Sequence, residues 1–301
     1  MRLLVAGTIP TELGATVCGQ VRRASSRALY VGDTEVPSCQ GSAAMLSAAL
    51  AVTEYLGTEA PWAVLGGDRG RGEGTRAVYE RLMDDVDRIQ PTVISFHYLQ
   101  PIMALMRSAV SALQPRVEAG EVRLVADAGG MYAAKGAGLS AHFELMTPDV
   151  GEVGFIADDC ATHPAYVSHY LFGNNGFDPV ELVRLAHERG SAPKVLLVKG
   201  RTDHIAEAGV VKATVTEPCV PELEAIGGTG DTVTGLVSAF MAADFPTLDA
   251  AVCAAKANRA AGAELGARPD HRADDVVSMF PRVFEKHLCE WAGVCAVLGE
   301  K

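Results

Sequence analysis

The sequence predicts an α/β fold of three layers, with a mainly parallel sheet between two sets of helices. Three observations carry this expectation. Short apolar runs recur along the chain, each closing on glycine or a polar residue, as buried strands do. Segments with helical spacing lie between them, and that alternation is the pattern of a parallel sheet covered on both faces. With 49% hydrophobic residues among 301, the chain can bury a sizeable core, and we expect a single domain over residues 1–301.

The elements follow in order. LLVAG (Leu3 to Gly7) is the first expected strand, and SAAMLSAALAVTEYL (Ser42 to Leu56) the first expected helix. WAVLGG (Trp62 to Gly67) and TVISF (Thr92 to Phe96) are further strands, with a helix over IMALMRSAVSAL (Ile102 to Leu113). VRLVAD (Val122 to Asp127) and KVLLVKG (Lys194 to Gly200) complete the apolar set. DHIAEAGVVKATV (Asp203 to Val215) differs, because two β-type runs flank Glu207-Ala208-Gly209 as in a hairpin. A glycine loop and three helices are expected after it. HPAYVSHYLFGNNGFDP (His163 to Pro179) reads as an inserted, aromatic-rich surface segment.

Composition excludes several functions. Lys plus Arg number 26 against 37 Asp plus Glu, a net charge of -11, so a nucleic-acid groove is not expected. The seven cysteines form no C-x-x-C pair and read as buried thiols in a reducing compartment. No H-x-x-x-H or H-E-x-x-H spacing occurs, which argues against a zinc enzyme. The opening MRLLVAG reaches Gly7 and Pro10 too early for a signal core or a membrane span. A cytoplasmic protein with no membrane partner is the expectation.

The most informative stretch is EAIGGTGDTVTGL (Glu224 to Leu236). Val233, Leu236, Val237 and Phe240 have the spacing of an amphipathic helix, which places Asp231 at its N-terminus. Unpaired amides and the positive end of the helix dipole favour an anion there, and a phosphate fits. Gly227, Gly228 and Gly230 let the backbone approach such a ligand. Asp231 is then either a plain helix cap or a carboxylate that takes a proton from a hydroxyl attacking the bound phosphate. A cap needs no glycine run, so the second reading is the sharper.

In open α/β sheets ligands bind beyond the carboxyl ends of the strands. By position His97, Asp127, Thr147, Lys199 and Arg201 are candidates; Asp127 looks unpaired, and His97 is either a site residue or, more commonly for such a position, a hydrogen-bonded core histidine. Asp149 and Glu152, three residues apart, are either a helix-start acidic pair or hold Mg²⁺ through water. Lys199 is either a surface lysine or a point charge for phosphate.

Three stretches in this order, ELMTPDVGE (Glu144 to Glu152), LLVKGRTDHIAEAG (Leu196 to Gly209) and AIGGTGDTVTG (Ala225 to Gly235), resemble the ribokinase-like superfamily, and within it the NAD(P)H-hydrate dehydratases. The resemblance is good from about Val122 to Ala261. It implies a three-layer ribokinase-like sandwich using ATP or ADP and Mg²⁺ on a small-molecule substrate, in a homo-oligomer. Residue by residue it implies Asp231 as the catalytic aspartate and Gly228, Thr229 and Gly230 as the anion hole. Thr147, Lys199, Gly200, Arg201, Asp203 and Asn258 fall to the nucleotide. Gly41, Ser42, His97, Asp127 and Asp149 fall to the substrate, and Glu152 to the metal.

Two departures bear on the substrate. ISFHYLQP (Ile94 to Pro101) places His97 and Tyr98 where the dehydratases have a glycine-rich turn, and Asp149 replaces the family's histidine. If His97 and Tyr98 fill that space, a dinucleotide-sized ligand is excluded and His97→Gly reopens the pocket. GGDRGRGEG (Gly66 to Gly74) looks more like a turn of sugar kinases and is not a G-x-G-x-x-G fingerprint. Phosphorylation and dehydration of hydrated NADH or NADPH is one expected activity, and phosphorylation of a sugar or vitamin precursor is the other.

Overall fold

The computed structural model describes residues 1–161 and 178–293. Among the described residues eleven strands form one sheet in the order β11-β10-β9-β8-β7-β6-β1-β5-β2-β3-β4. The centre is parallel: β9 (Val195–Val198), β8 (Leu145–Met146), β7 (Arg123–Asp127), β6 (Val93–His97), β1 (Leu3–Ile9) and β5 (Trp62–Gly67). Every residue of β1 and β6 is buried, which is why these strands read as unbroken apolar runs.

Antiparallel strands extend both edges. The expected hairpin is β10 (Asp203–Glu207) and β11 (Val210–Val215), turning through Ala208 and Gly209, both at positive φ. On the other side β2 (Val17–Ser25), β3 (Ala28–Val31) and β4 (Thr34–Pro37) form a meander that the apolar pattern does not reveal. These strands face solvent and carry charge, Arg22 and Arg23 among them, so their hydrophobic signal is diluted.

Successive residues of each central strand face opposite layers. Leu3 and Val5 enter one core with α1 (Gly41–Leu56), α7 (Thr229–Ala242), α8 (Thr247–Leu265) and α10 (Phe280–Ala292). Leu4 and Ala6 enter the other with α2 (Glu73–Ile89), α3 (Met103–Glu118), α4 (Ala128–Gly136), α5 (Val150–Ala157) and α6 (Pro179–Glu188). A fourth short helix, α9 (Ala273–Val277), joins the three expected near the C-terminal side.

The glycine loop leads into a helix that differs from the expected amphipathic one. Every residue of α7 except Gly230 is buried, polar ones included. The cause is its place between α1, α8 and the sheet, where Ser238 Oγ meets Ser95 Oγ at 2.9 Å. Gly235 lets α1 and α7 touch backbone to backbone, since a Cβ there would lie 2.1 Å from the carbonyl of Met45. α7 is therefore fixed rigidly, and so is whatever its first turn presents.

The thiol expectation is corrected. Among the described residues only Cys253 is buried, whereas Cys160 and Cys219 are exposed and Cys18, Cys39 and Cys289 are half-buried, none of these six in a disulfide. Cys295 and nearly all of the segment from His163 to Pro179 lie outside the described residues. Among the described residues no helix is long and apolar enough to cross a membrane.

Candidate active site

The parallel strands end together in a cleft of about 1120 Å³, between the first turn of α7 and the loops after β7, β8 and β9. Gly228 is the residue before α7, at φ +97°, and a Cβ on it would press on the Cys39 carbonyl at 3.0 Å and the Ala273 methyl at 3.1 Å. Only glycine suits this position. α7 then begins at Thr229, so Asp231 lies within its first turn and is not the cap residue. Its Oδ2 accepts the amide of Gly41, the first residue of α1, at 2.9 Å.

Behind Asp231 sits His97, at the end of β6 and fully buried. Its Nε2 lies 3.2 Å from Asp231 Oδ1 and 3.7 Å from Asp127 Oδ2, and its Nδ1 lies 3.0 Å from Ser42 Oγ. Nε2 makes no well-formed hydrogen bond, being poorly aimed at Asp231 and too far from Asp127. Burial pulls the ring toward neutrality, but Asp127 and Asp231 outweigh it and push its pKa up to about 9. These three donor groups lie within 4.8 Å of one another, a spacing able to surround a metal ion.

Asp127, which looks unpaired in the sequence, is the most heavily partnered acid of the site. Lys199 Nζ lies 3.0 Å and 3.2 Å from its two oxygens, Thr234 Oγ1 donates to Oδ2 at 2.5 Å, and the amide of Ala128 donates to Oδ1 at 2.8 Å. Burial would raise its pKa, yet Lys199 and His97 hold it well below the usual carboxylate range. Lys199 is correspondingly not a free surface lysine: burial disfavours its charge, and Asp127 and Glu152 more than restore it. Thr147 Oγ1 supports this group from below through Thr234 Oγ1 at 2.8 Å.

Asp149 and Glu152 form a capping box at the start of α5: Asp149 Oδ1 accepts the Glu152 amide at 2.7 Å and Glu152 Oε2 accepts the Asp149 amide at 2.9 Å. The helix-start role is therefore real. It leaves Glu152 facing the cleft, with Tyr132 donating to Oε1 at 2.5 Å, and burial together with the nearby Asp127 charge raises the Glu152 pKa.

The opposite wall is organised by Arg259 of α8. Its guanidinium pairs with Asp203 at 2.7 Å and donates to the carbonyls of Gly200 at 2.7 Å, Arg201 at 3.0 Å and Thr216 at 3.0 Å. Asp203 in turn accepts the Gly200 amide at 3.0 Å. The loop following β9 is thereby tied to the hairpin and to α8. Asn258 braces the start of α7, accepting from Thr232 Oγ1 at 2.7 Å and donating to the Thr229 carbonyl at 3.3 Å.

The predicted residues thus divide. Gly228, Thr229, Gly230, Asp231, Asp127, Asp149, Glu152, Lys199, Gly200, Arg201, Asp203 and Asn258 line the cleft. Gly41, Ser42, His97 and Thr147 do not; they are buried beneath it and hold the lining residues. His97 therefore does not occupy ligand space, and only Tyr98 of the expected pair does. Tyr98 is 47% exposed at φ +52°, packs edge to face on His97 at 4.7 Å, and fixes its carbonyl on Thr8 Oγ1. Burial and the Asp231 and Asp127 charges push its phenol up to about 12. In GGDRGRGEG the Asp68 carboxylate accepts four backbone amides, those of Gly70, Arg71, Gly72 and Thr75, so this acid shapes its own turn.

Sequence reasoning missed Arg259, Thr234 and Tyr132. Thr234 was findable, lying three residues after Asp231 on the same face of the helix. Arg259 stands in an alanine-rich run, with no local mark of its buried partner.

His97 also sets a pH dependence of stability. Its folded pKa of about 9 exceeds the unfolded value of 6.5, so its stabilisation is complete below pH 6.5 and lost as pH rises through 9. The difference corresponds to about 3 kcal/mol. Urea unfolding across that window should show the decline, and His97→Gln should flatten it.

The sheet, the glycine turn and the aspartate in the first turn of α7 define a ribokinase-like enzyme. The chain belongs to the NAD(P)H-hydrate dehydratase family, whose family model matches residues 104–281. It is 32% identical over 244 residues to an uncharacterized protein of Methanocaldococcus jannaschii, covering 81% of this chain and 100% of that one. It is 33% identical over 175 residues to the bifunctional NAD(P)H-hydrate repair enzyme Nnr of Pyrobaculum aerophilum, covering 57% of this chain but 31% of that enzyme. Pyridoxal kinase of Entamoeba histolytica has the same fold at a TM-score of 0.53 and 12% identity, over 94% of both chains. The tetrameric inhibited form of Escherichia coli phosphofructokinase-2 does so at 0.52 and 13%, over 94% of this chain and 99% of that one.

Proposed function

We propose that the protein is a nucleotide-dependent hydrate dehydratase that phosphorylates and dehydrates hydrated NADH or NADPH. The observation that carries this reading is Asp231: its carboxylate faces the cleft from the first turn of α7, directly beside the Gly228 turn. The amides of that turn receive a phosphate of ATP or ADP, as helix N-termini do. Asp231 takes the proton of the substrate hydroxyl as its oxygen bonds to the terminal phosphorus. The bond from that phosphorus to the bridging oxygen breaks, and the shortened nucleotide leaves. The C–O bond of the new phosphate ester then breaks, a proton leaves the neighbouring carbon, and the ring double bond returns with release of phosphate.

The carboxylates of Glu152 and the adjacent Asp149 line the cleft and suit Mg²⁺, which Glu152 would hold through water. Mg²⁺ would neutralise charge on the transferred group. The cleft of about 1120 Å³ lies just above the range of about 300–1,000 Å³ for pockets of drug-sized ligands, and in this reading it receives nucleotide and substrate together. We extend the homo-oligomer expectation to this chain, since the phosphofructokinase-2 neighbour is described as tetrameric.

Gly230 supplies a direct test of the cradle. A Cβ there would meet nothing closer than Lys199 Nζ at 3.5 Å, so the fold itself does not require glycine. Gly230→Val should fold normally yet lose nucleotide affinity by at least tenfold, because the side chain fills the phosphate approach. Calorimetry with ATP and ADP measures this, and unchanged affinity would place the phosphate elsewhere.

A second reading, a small-molecule kinase, is favoured by Tyr98, whose ring narrows the cleft beside Asp231. Incubation with a mixed metabolite pool and ATP or ADP, followed by mass spectrometry, separates the two. Loss of hydrated nicotinamide cofactor supports the dehydratase; a stable new phosphomonoester supports the kinase.

A further inference from the structure

We propose that His97 is a positioning residue for Asp231: from the side away from the cleft, its buried ring fixes the direction of that carboxylate. The inference rests on Asp231 acting as the base.

The ring is held at both ends. Nδ1 lies 3.0 Å from Ser42 Oγ, which itself lies 3.4 Å from the His97 carbonyl, so α1 and β6 clamp one side. Nε2 faces Asp231 at 3.2 Å, and the edge of Tyr98 closes one flank at 4.7 Å. Asp231 is held between two elements in consequence, with Oδ2 on the Gly41 amide and Oδ1 against the ring. Neither oxygen can turn without breaking one of these contacts.

The charges have the same logic. Facing the ring are Asp231 from α7 and Asp127 from β7, with Lys199 at 3.0 Å on the far side of Asp127, Glu152 from α5 and the Tyr98 phenol in the same field. Lys199 offsets one of the two nearest carboxylates. The proton on His97 offsets the other. Without it, two buried like charges share a single cation and repel one another, which loosens the Asp231 carboxylate from its place.

His97→Gln keeps a polar group toward Ser42 and cannot carry the charge. With hydrated NADH and ATP, its kcat should fall by roughly 10- to 100-fold while KM changes little, because ground-state binding is untouched. An alkaline limb of the wild-type pH–rate profile near 9, where His97 loses its proton, should vanish in this variant. A lower kcat with an unshifted profile would show a merely structural role and overturn the proposal. Nitrogen-15 histidine NMR of the wild-type protein adds a test that needs neither turnover nor a folded variant. At about pH 8, above the ordinary histidine range of about 6.5, both nitrogens of one buried ring should still carry protons. A neutral His97 there would overturn the proposal even if hydrated NADH is not the substrate. Asp231→Asn separates the two ideas: activity surviving in that variant sinks the base assignment, whereas an inactive Asp231→Asn beside an unshifted His97→Gln profile sinks only the role of His97.

Discussion

Asp231→Asn should retain the fold and bind nucleotide while losing roughly 10²–10⁴-fold in kcat, the usual worth of a general base. Asparagine has nearly the same shape, its carbonyl oxygen still accepts the Gly41 amide that Asp231 Oδ2 accepts at 2.9 Å, and its amide group then donates to His97 Nε2 once that ring gives up its proton. α7 is anchored by burial of almost every residue, so the first turn stays in place. What disappears is the ability to accept a proton from the attacking hydroxyl. Circular dichroism, calorimetry with nucleotide and steady-state turnover together check this, and near wild-type turnover would sink the assignment.

Much of the frame that positions Asp231 is legible in the sequence. The parallel strands β1, β5, β6, β7 and β9 are unbroken apolar runs because both faces of each are covered, and the hairpin shows through its turn. The meander from Val17 to Pro37 is not legible, because its exposed positions carry charge and its buried ones are few. β8 is only two residues long and too short for any period. The family motifs lead to the lining of the cleft, since the glycine turn, Lys199 and Glu152 each stand in a recognisable local pattern.

The layer beneath the lining is another matter. Gly41, His97, Asp127 and Asp231 come from four elements, the first and last of these residues 190 apart, and no local pattern states that they meet. A strand-end histidine reads the same whether it points into the cleft or back into the protein. Here the direction reverses the expectation: His97 supports the site and leaves the ligand space to Tyr98.

Arg259 gives the second large effect. Its guanidinium and the Asp203 carboxylate are each about nine-tenths shielded, and it ties three carbonyls of two loops together. Arg259→Met keeps the aliphatic bulk but strands the Asp203 charge and frees those carbonyls. Removing one partner of a buried pair costs about 3–5 kcal/mol, and urea unfolding should show a loss of that size. The Gly200–Asp203 loop borders the cleft, so nucleotide affinity should fall as well. The double variant Arg259→Met with Asp203→Asn should recover part of the stability, because the stranded charge is gone, but not the affinity, because the loop remains untied. If Arg259→Met lost less than about 1 kcal/mol, the range of a surface ion pair, the buried pair would not be what holds this wall of the site.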